Sequence, residues 1–228
     1  MPDLFDMYSL RKLSATFNNI VTLPDTVSKL TNLVELLLDN NQLVRLPEEL
    51  GEVQTLTLLS ILHNELTVLP VTLGNLSELE VFNADFDDKI VAPPHEVTRL
   101  RGVKGLSYVL DFMLLFCDAR RDHEIELIEF DLLSLPTELL DNNVGKSTST
   151  LRSLSLATNK LHILPSEMYS LASLAALDLS ENNIHSLPEG FVEMRKLEAL
   201  YLDDNKLRAL PVDFGRLKKL RYVSLNRN

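Results

Sequence analysis

The sequence predicts an α/β repeat fold, a curved solenoid with a parallel sheet on its concave side and short helices or 3₁₀ turns on its convex side. Two observations carry the prediction. The segment Leu174–Lys196, LAALDLSENNIHSLPEGFVEMRK, is followed directly by Leu197–Lys219, LEALYLDDNKLRALPVDFGRLKK, the same residue types 23 positions on. In both, leucines fall at offsets 0, 3, 5 and 13, Asn at 8, Ile or Leu at 10 and Pro at 14. A unit that recurs at a fixed period cannot bury its apolar face alone and does so by stacking on its neighbours. Composition agrees: there is no Trp and only 6% of residues are aromatic, so the core is aliphatic.

Each element follows from the offsets. Residues at offsets 3 and 5 alternate with those at 2, 4 and 6, which predicts a short strand with the leucines inward. Each buried Leu is worth about 1.5–3 kcal/mol. After each Pro, apolar residues recur every third position (Val27 and Leu30, Leu50 and Val53, Leu73 and Leu76), the spacing of a short helical or 3₁₀ segment. The Asn at offset 8 leaves the strand, and its amide both donates and accepts. Asn18, Asn41, Asn64, Asn159, Asn182, Asn205 and Asn228 are therefore expected to form a buried ladder that satisfies loop backbone groups.

Along the chain, repeats begin near residues 10, 33, 56, 79, 122, 151, 174, 197 and 220, and residues 1–228 read as a single domain. The repeat from Leu79 slips by one residue, with Asp87 or Asp88 at the Asn position, Ile90 after it and Pro93-Pro94 in place of Leu-Pro. Residues 103–122 break the pattern. They read either as a degenerate repeat (Val103, Leu106, Tyr108, Asp111, Met113, Phe116) or as an inserted helix with Leu106, Leu110, Met113, Leu114 and Cys117 on one stripe. In the next repeat Ile125, Leu127 and Leu132 point inward and Phe130 stands at the Asn position; a shifted register would bury Ile128 and Phe130 instead. Residues 141–150, DNNVGKSTST, form a polar loop.

The pattern L-x-x-L-x-L-x-x-N-x-L at this period resembles the leucine-rich-repeat family, in its 23-residue Leu-Pro form. That resemblance implies the solenoid above and an intracellular protein-binding role. It is similar to Ras-group and Scribble-like scaffolds, to phosphatase and polarity-complex adaptors, and to ubiquitin-ligase substrate receptors.

Charge and cysteine content narrow the setting. A formal net charge of -11 argues against a nucleic-acid binder, which needs a Lys/Arg field, and favours a protein partner with a basic surface. One cysteine, Cys117, permits no internal disulfide, and the expectation is a cytoplasmic protein. The first residues, MPDLFDMYSLRK, lack the basic and apolar regions of a signal peptide, and no apolar run is long enough to span a bilayer. Neither end reads as a polar cap, so the expectation is either continuation into further repeats or capping by a partner.

No motif points to catalysis, a cofactor or a metal. GKST at 145–148 resembles the end of a phosphate-binding loop, but Leu140 stands where that loop needs Gly. His162 and His185 share offset 11 and should stack, yet Arg208 follows them in the column and repels a cation. The remaining candidates are outward residues on the strand face. Phe17, Leu37, Leu58, Leu62 and Val81, with Phe86, would supply apolar contact in early repeats. Asp178, Glu181, Tyr201, Asp203, Asp204 and Tyr222, with Ser180 and Arg227, would supply acidic steering and aromatic contact in later ones. The expected function is a non-enzymatic interaction scaffold. Its alternatives are a targeting segment of a larger signalling or ubiquitin-ligase enzyme, or a structural subunit of an assembly.

Overall fold

The computed structural model describes residues 7–86, 89–99, 105–140 and 150–228. Contacts divide the chain into two compact units, Met1–Cys117 and Asp118–Asn228, each with its own sheet. Residues Asp87 and Asp88, and 141–149 of the polar loop, lie outside the described residues.

In the first unit, β1 (Lys12–Ser14), β2 (Glu35–Leu37), β3 (Leu58–Ser60) and β4 (Val81–Asn83) pair in parallel and in chain order. Leu13, Leu36, Leu59 and Phe82 stand opposite one another, one repeat apart. Three residues per strand suffice because each repeat turns only its central strand side chain, and the one two further on, into the core. The 3₁₀ turns Asp25–Lys29, Glu48–Glu52 and Val71–Asn75 cover the other side, each behind Pro24, Pro47 or Pro70 in extended backbone. Proline fits that position because its φ is preset and the missing N–H has no partner to lose there. Val27, Leu30, Leu50, Val53, Leu73 and Leu76 are all buried, as the three-residue spacing requires. The one-residue slip is present too: Ile90 is buried and Lys89 exposed.

Short α1 (His95–Thr98) precedes α2, a single 18-residue helix over Gly105–Asp122, so these residues do not form a degenerate repeat. The buried stripe of α2 is Val109, Phe112, Met113 and Phe116. Of the stripe expected from sequence only Met113 is fully buried, while Leu106, Leu110, Leu114 and Cys117 are half-buried. The helix is apolar on most faces, so docking rather than periodicity selects the buried side. It seats on the turn Val71–Asn75 at Gly74, where a Cβ would lie 2.4 Å from the Leu114 nitrogen and 2.9 Å from the Leu110 oxygen. The Cys117 thiol donates to the Val71 carbonyl at 3.3 Å.

In the second unit, β5 (Glu124–Glu126), β6 (Ser153–Ser155), β7 (Ala176–Asp178), β8 (Ala199–Tyr201) and β9 (Tyr222–Ser224) form a parallel sheet in chain order. Ile125, Leu154, Leu177, Leu200 and Val223 stand in register. Behind it run α3 (Thr137–Leu140) and the 3₁₀ turns Ser166–Ser170, Glu189–Glu193 and Phe214–Arg216. Ile125, Leu127 and Leu132 are buried while Ile128 is 40% exposed, so the shifted register is not adopted.

The asparagine ladder has a common geometry. Asn182 donates to the carbonyls of Leu156 in the preceding repeat and Leu179 in its own, and accepts from the Leu161 amide. Asn41, Asn64, Asn159 and Asn205 repeat this, all buried. Asn18 is exposed and, among the described residues, donates to the Ala15 and Thr16 carbonyls of its own turn, and Asn228 is exposed although it still serves Leu202 and Leu207. Each ladder amide thus serves the coil one repeat earlier. The segment before β5 is helix α2, whose backbone groups are spent within the helix, and there the buried Phe130 stands in place of Asn.

Candidate protein-binding faces

The residue before each ladder position adopts left-handed backbone: Phe17, Asn40 and His63 in the first unit, and Glu129, Thr158, Glu181, Asp204 and Arg227 in the second. This tight exit lifts the side chain onto the outward sheet face. Asn tolerates the conformation, whereas a bulky residue there is strained. Phe17 is the one large apolar residue of this set, at φ 55 and 79% exposed.

On the first sheet face Leu58 stands opposite Val81, with Glu35 on its other side, and the Lys12 ammonium pairs with Glu35 at 2.5 Å. Leu37, Leu58 and Leu62 are half-buried and Val81 is exposed. Phe86 turns its ring edge-on to Phe82 at 5.5 Å and is half-buried. Ser60 is buried beneath Asp39, whose Oδ1 accepts from the Ser60 hydroxyl and the Leu62 amide, both at 2.7 Å.

On the second face the rings of Tyr201 and Tyr222 meet with centroids 5.1 Å apart, tilted by 43°. Tyr222 is 51% exposed and stands opposite Ala199, and Tyr201 stands between Asp178 and Ser224. The column Ser153, Ala176, Ala199 leaves the tyrosine rings the largest side chains of the strand columns. Glu181 is exposed, and Asp178 accepts from the Ser180 amide at 2.9 Å.

The acidic pair Asp203 and Asp204 is tied into the fold. Asp203 Oδ1 accepts from the Ser224 hydroxyl and the Asn226 amide, and the Ser224 bond first, with the Asn226 bonds and Arg227, lowers its pKa. Both Asp204 oxygens accept from the Arg227 guanidinium, which lowers the Asp204 pKa and raises that of Arg227. Of the acidic candidates, Glu181 adds to the field that raises the Arg227 pKa, and Asp178 has no cation within 4.0 Å among the described residues. Reading each repeat alone hides these links. The signal is an Asp at offset 6 with a Ser 21 positions later, as in Asp39/Ser60 and Asp203/Ser224.

The other candidates resolve as packing or surface. His162 and His185 stack with centroids 6.3 Å apart and 18° between planes. Among the described residues no group of three or more His, Cys, Asp or Glu could hold a metal ion, and no helix is long and apolar enough to cross a membrane. A cleft of about 300 Å³ at His63, Asp85 and Lys89 has its cation already engaged, Lys89 pairing with Glu65 at 2.8 Å. Glu138 on α3 is buried, and desolvation raises its pKa to about 7 against a weak hydrogen bond from Thr137 at 3.4 Å.

Residues 138–228 match the family described as Leucine-rich repeat region. These are leucine-rich repeats. The same offsets and backbone geometry recur in the first unit, so the leucine-rich-repeat pattern runs through both. Among solved structures, a leucine-rich-repeat protein of Leptospira interrogans is 28% identical with a TM-score of 0.42, covering 91% of this chain and 64% of its own. An internalin of Listeria monocytogenes is 21% identical with a TM-score of 0.41, covering 98% and 62%. The plant peptide hormone receptor RGFR1, solved in complex with RGF2, is 24% identical with a TM-score of 0.41, covering 99% and 33%. This chain therefore spans less than two thirds of the length of each. Comparison with curated proteins gives no match. Leucine-rich repeats generally mediate protein–protein interaction and are typically binding modules rather than enzymes.

Proposed function

We propose that this protein is an interaction scaffold that binds a protein partner on the outward faces of its sheets. One observation carries the reading: a large apolar side chain, Phe17, stands on the first face at a cost to folding. Phe17 combines left-handed backbone with 79% exposure, so little of its ring is covered to offset the strain. An aromatic or aliphatic side chain held rigidly in a polar rim is the composition of a binding hot spot. The Tyr201–Tyr222 pair has the same character.

A partner with a basic surface remains our reading for the second face. It rests first on Asp178, since Arg227 pairs with Asp204 and also sits in the field of Glu181. A cytoplasmic setting is proposed on the single cysteine, Cys117, held as a packing thiol against Val71.

The test is affinity capture from lysate with wild type, a Phe17→Ala/Leu58→Ala variant, a Tyr222→Ala/Asp178→Lys variant, and Ile163→Asp as a control away from the sheets. Specific partners should be lost from one or both face variants and kept by the control. Identical recovery by all four, with melting curves unchanged, contradicts the reading.

A further inference from the structure

A second surface has the opposite chemistry. Just before β6, β7, β8 and β9, two columns of side chains flank the leucine at offset 0. One runs Thr150, Ser173, Lys196, Lys219 and the other Arg152, Ala175, Glu198, Arg221. These residues, apart from Arg221, line a groove of about 390 Å³. Neighbouring strands lie about 4.8 Å apart, so Lys196 and Lys219 originate one strand spacing from each other. Glu198, the one carboxylate in the lining, is approached by the Arg221 guanidinium at 3.8 Å. Among the described residues, Arg152, Lys196 and Lys219 have no carboxylate within 4.0 Å. All three are exposed.

In a chain with a net charge of -11, three uncompensated cations around one groove form a local reversal of sign. Like charges this close repel one another, and an incoming anion relieves the repulsion. The groove has the size of a site that takes one or two side chains and a short stretch of backbone. Screening confines its attraction to roughly 8 Å at physiological ionic strength, so only an anion that docks in the groove gains from it. A long polyanion would also meet the negative field of the rest of the protein, which selects against nucleic acid.

We propose that this groove binds an anionic peptide segment, a run of Asp or Glu side chains or a phosphorylated serine, across Arg152, Lys196 and Lys219. The carboxylate or phosphate oxygens accept hydrogen bonds from the Arg152 guanidinium and the two ammonium groups, and Ser173 supplies a hydroxyl donor beside them. This site is independent of the sheet faces and adds an acidic ligand to the basic partner proposed there.

The test is fluorescence anisotropy with a short fluorescein-labelled peptide of Glu and Ser, its phosphoserine form, a control with Gln in place of Glu, and oligouridine RNA. The Glu peptide, the phosphopeptide or both should bind more tightly than the Gln control, with affinity falling as salt rises; their order tells carboxylate from phosphate. Lys196→Glu/Lys219→Glu should weaken binding at least about tenfold, a loss of roughly 1.4 kcal/mol. Glu198→Gln should leave binding unchanged or tighten it. Equal binding of the Gln peptide, tighter binding of RNA than of any peptide, or an unchanged affinity in the double lysine variant with native circular dichroism would each overturn the proposal.

Discussion

Asp203 and Ser224 lie on neighbouring repeats and are joined by a 2.7 Å hydrogen bond from the serine hydroxyl to Oδ1, which also accepts from the Asn226 amide at 2.5 Å. Asp39 repeats the arrangement with Ser60 and Leu62. The carboxylate thus staples its own repeat to the backbone of the next, on the same face as the candidate binding residues. Asp203→Ala should melt earlier than wild type. Combined with Ser224→Ala it should lose less than the sum of the single losses, because the two share one bond. Additive losses in a thermal-melt double-mutant cycle would remove the staple from the account.

The asparagine ladder sets a second expectation. Asn182→Ala strands the Leu161 amide and the Leu156 and Leu179 carbonyls in a buried site, and should cost about 3 kcal/mol in urea unfolding. Asn228 makes the same kind of bonds at an exposed position, where water substitutes, so Asn228→Ala should cost less than about 1 kcal/mol. Phe130→Asn should destabilise by about 2–4 kcal/mol, since it removes a buried ring and buries an amide that has no preceding coil to serve.

Gly74 sets the seat of α2. A methyl group there meets backbone atoms of Leu114 and Leu110, which cannot rotate away as a side chain would. Gly74→Ala should therefore cost about 1–3 kcal/mol. It should also raise the reactivity of the half-buried Cys117 toward a thiol reagent as the helix shifts. Wild-type stability in the alanine variant would mean that α2 is not seated at this contact.

Glu138 makes stability depend on pH. Its folded pKa is raised from 4.5 to about 7 by desolvation, so the folded state holds the proton more tightly than the unfolded chain. Stability from this group is fully present below about pH 4.5 and is lost as pH rises to about 7. The loss amounts to about 3 kcal/mol. Glu138→Gln should match wild type at the acid end and exceed it at pH 8. Parallel urea curves for the two proteins at both pH values would contradict the burial of this carboxyl group.

The repeat architecture was legible in the sequence because each inward position recurs, so one Leu at offset 3 or one Asn at offset 8 confirms the next. The slip at Ile90 followed from spacing alone, whereas spacing left two registers open around Phe130 and the burial of Ile125 and Leu127 decided between them. The orientation of α2 did not follow from spacing either, because a helix apolar on most faces offers periodicity no preferred side, and contact with Gly74 made the choice. The roles of Asp203 and Asp204 were hidden for another reason: their partners Ser224, Asn226 and Arg227 sit one repeat away, and only columns read across repeats connect them. The cations Arg152, Lys196 and Lys219 were missed likewise, lying beside the strands at offsets that carry no repeat signature.

The most direct test of the central claim is hydrogen–deuterium exchange of the protein with and without a captured partner. The account predicts slower exchange on binding in amides at and beside the sheet-face residues, around Phe17 and Leu58 or around Asp178, Tyr201 and Tyr222, with the turns Glu48–Glu52 and Glu189–Glu193 unchanged. Protection confined to those turns, with both sheet faces unaffected, would contradict it.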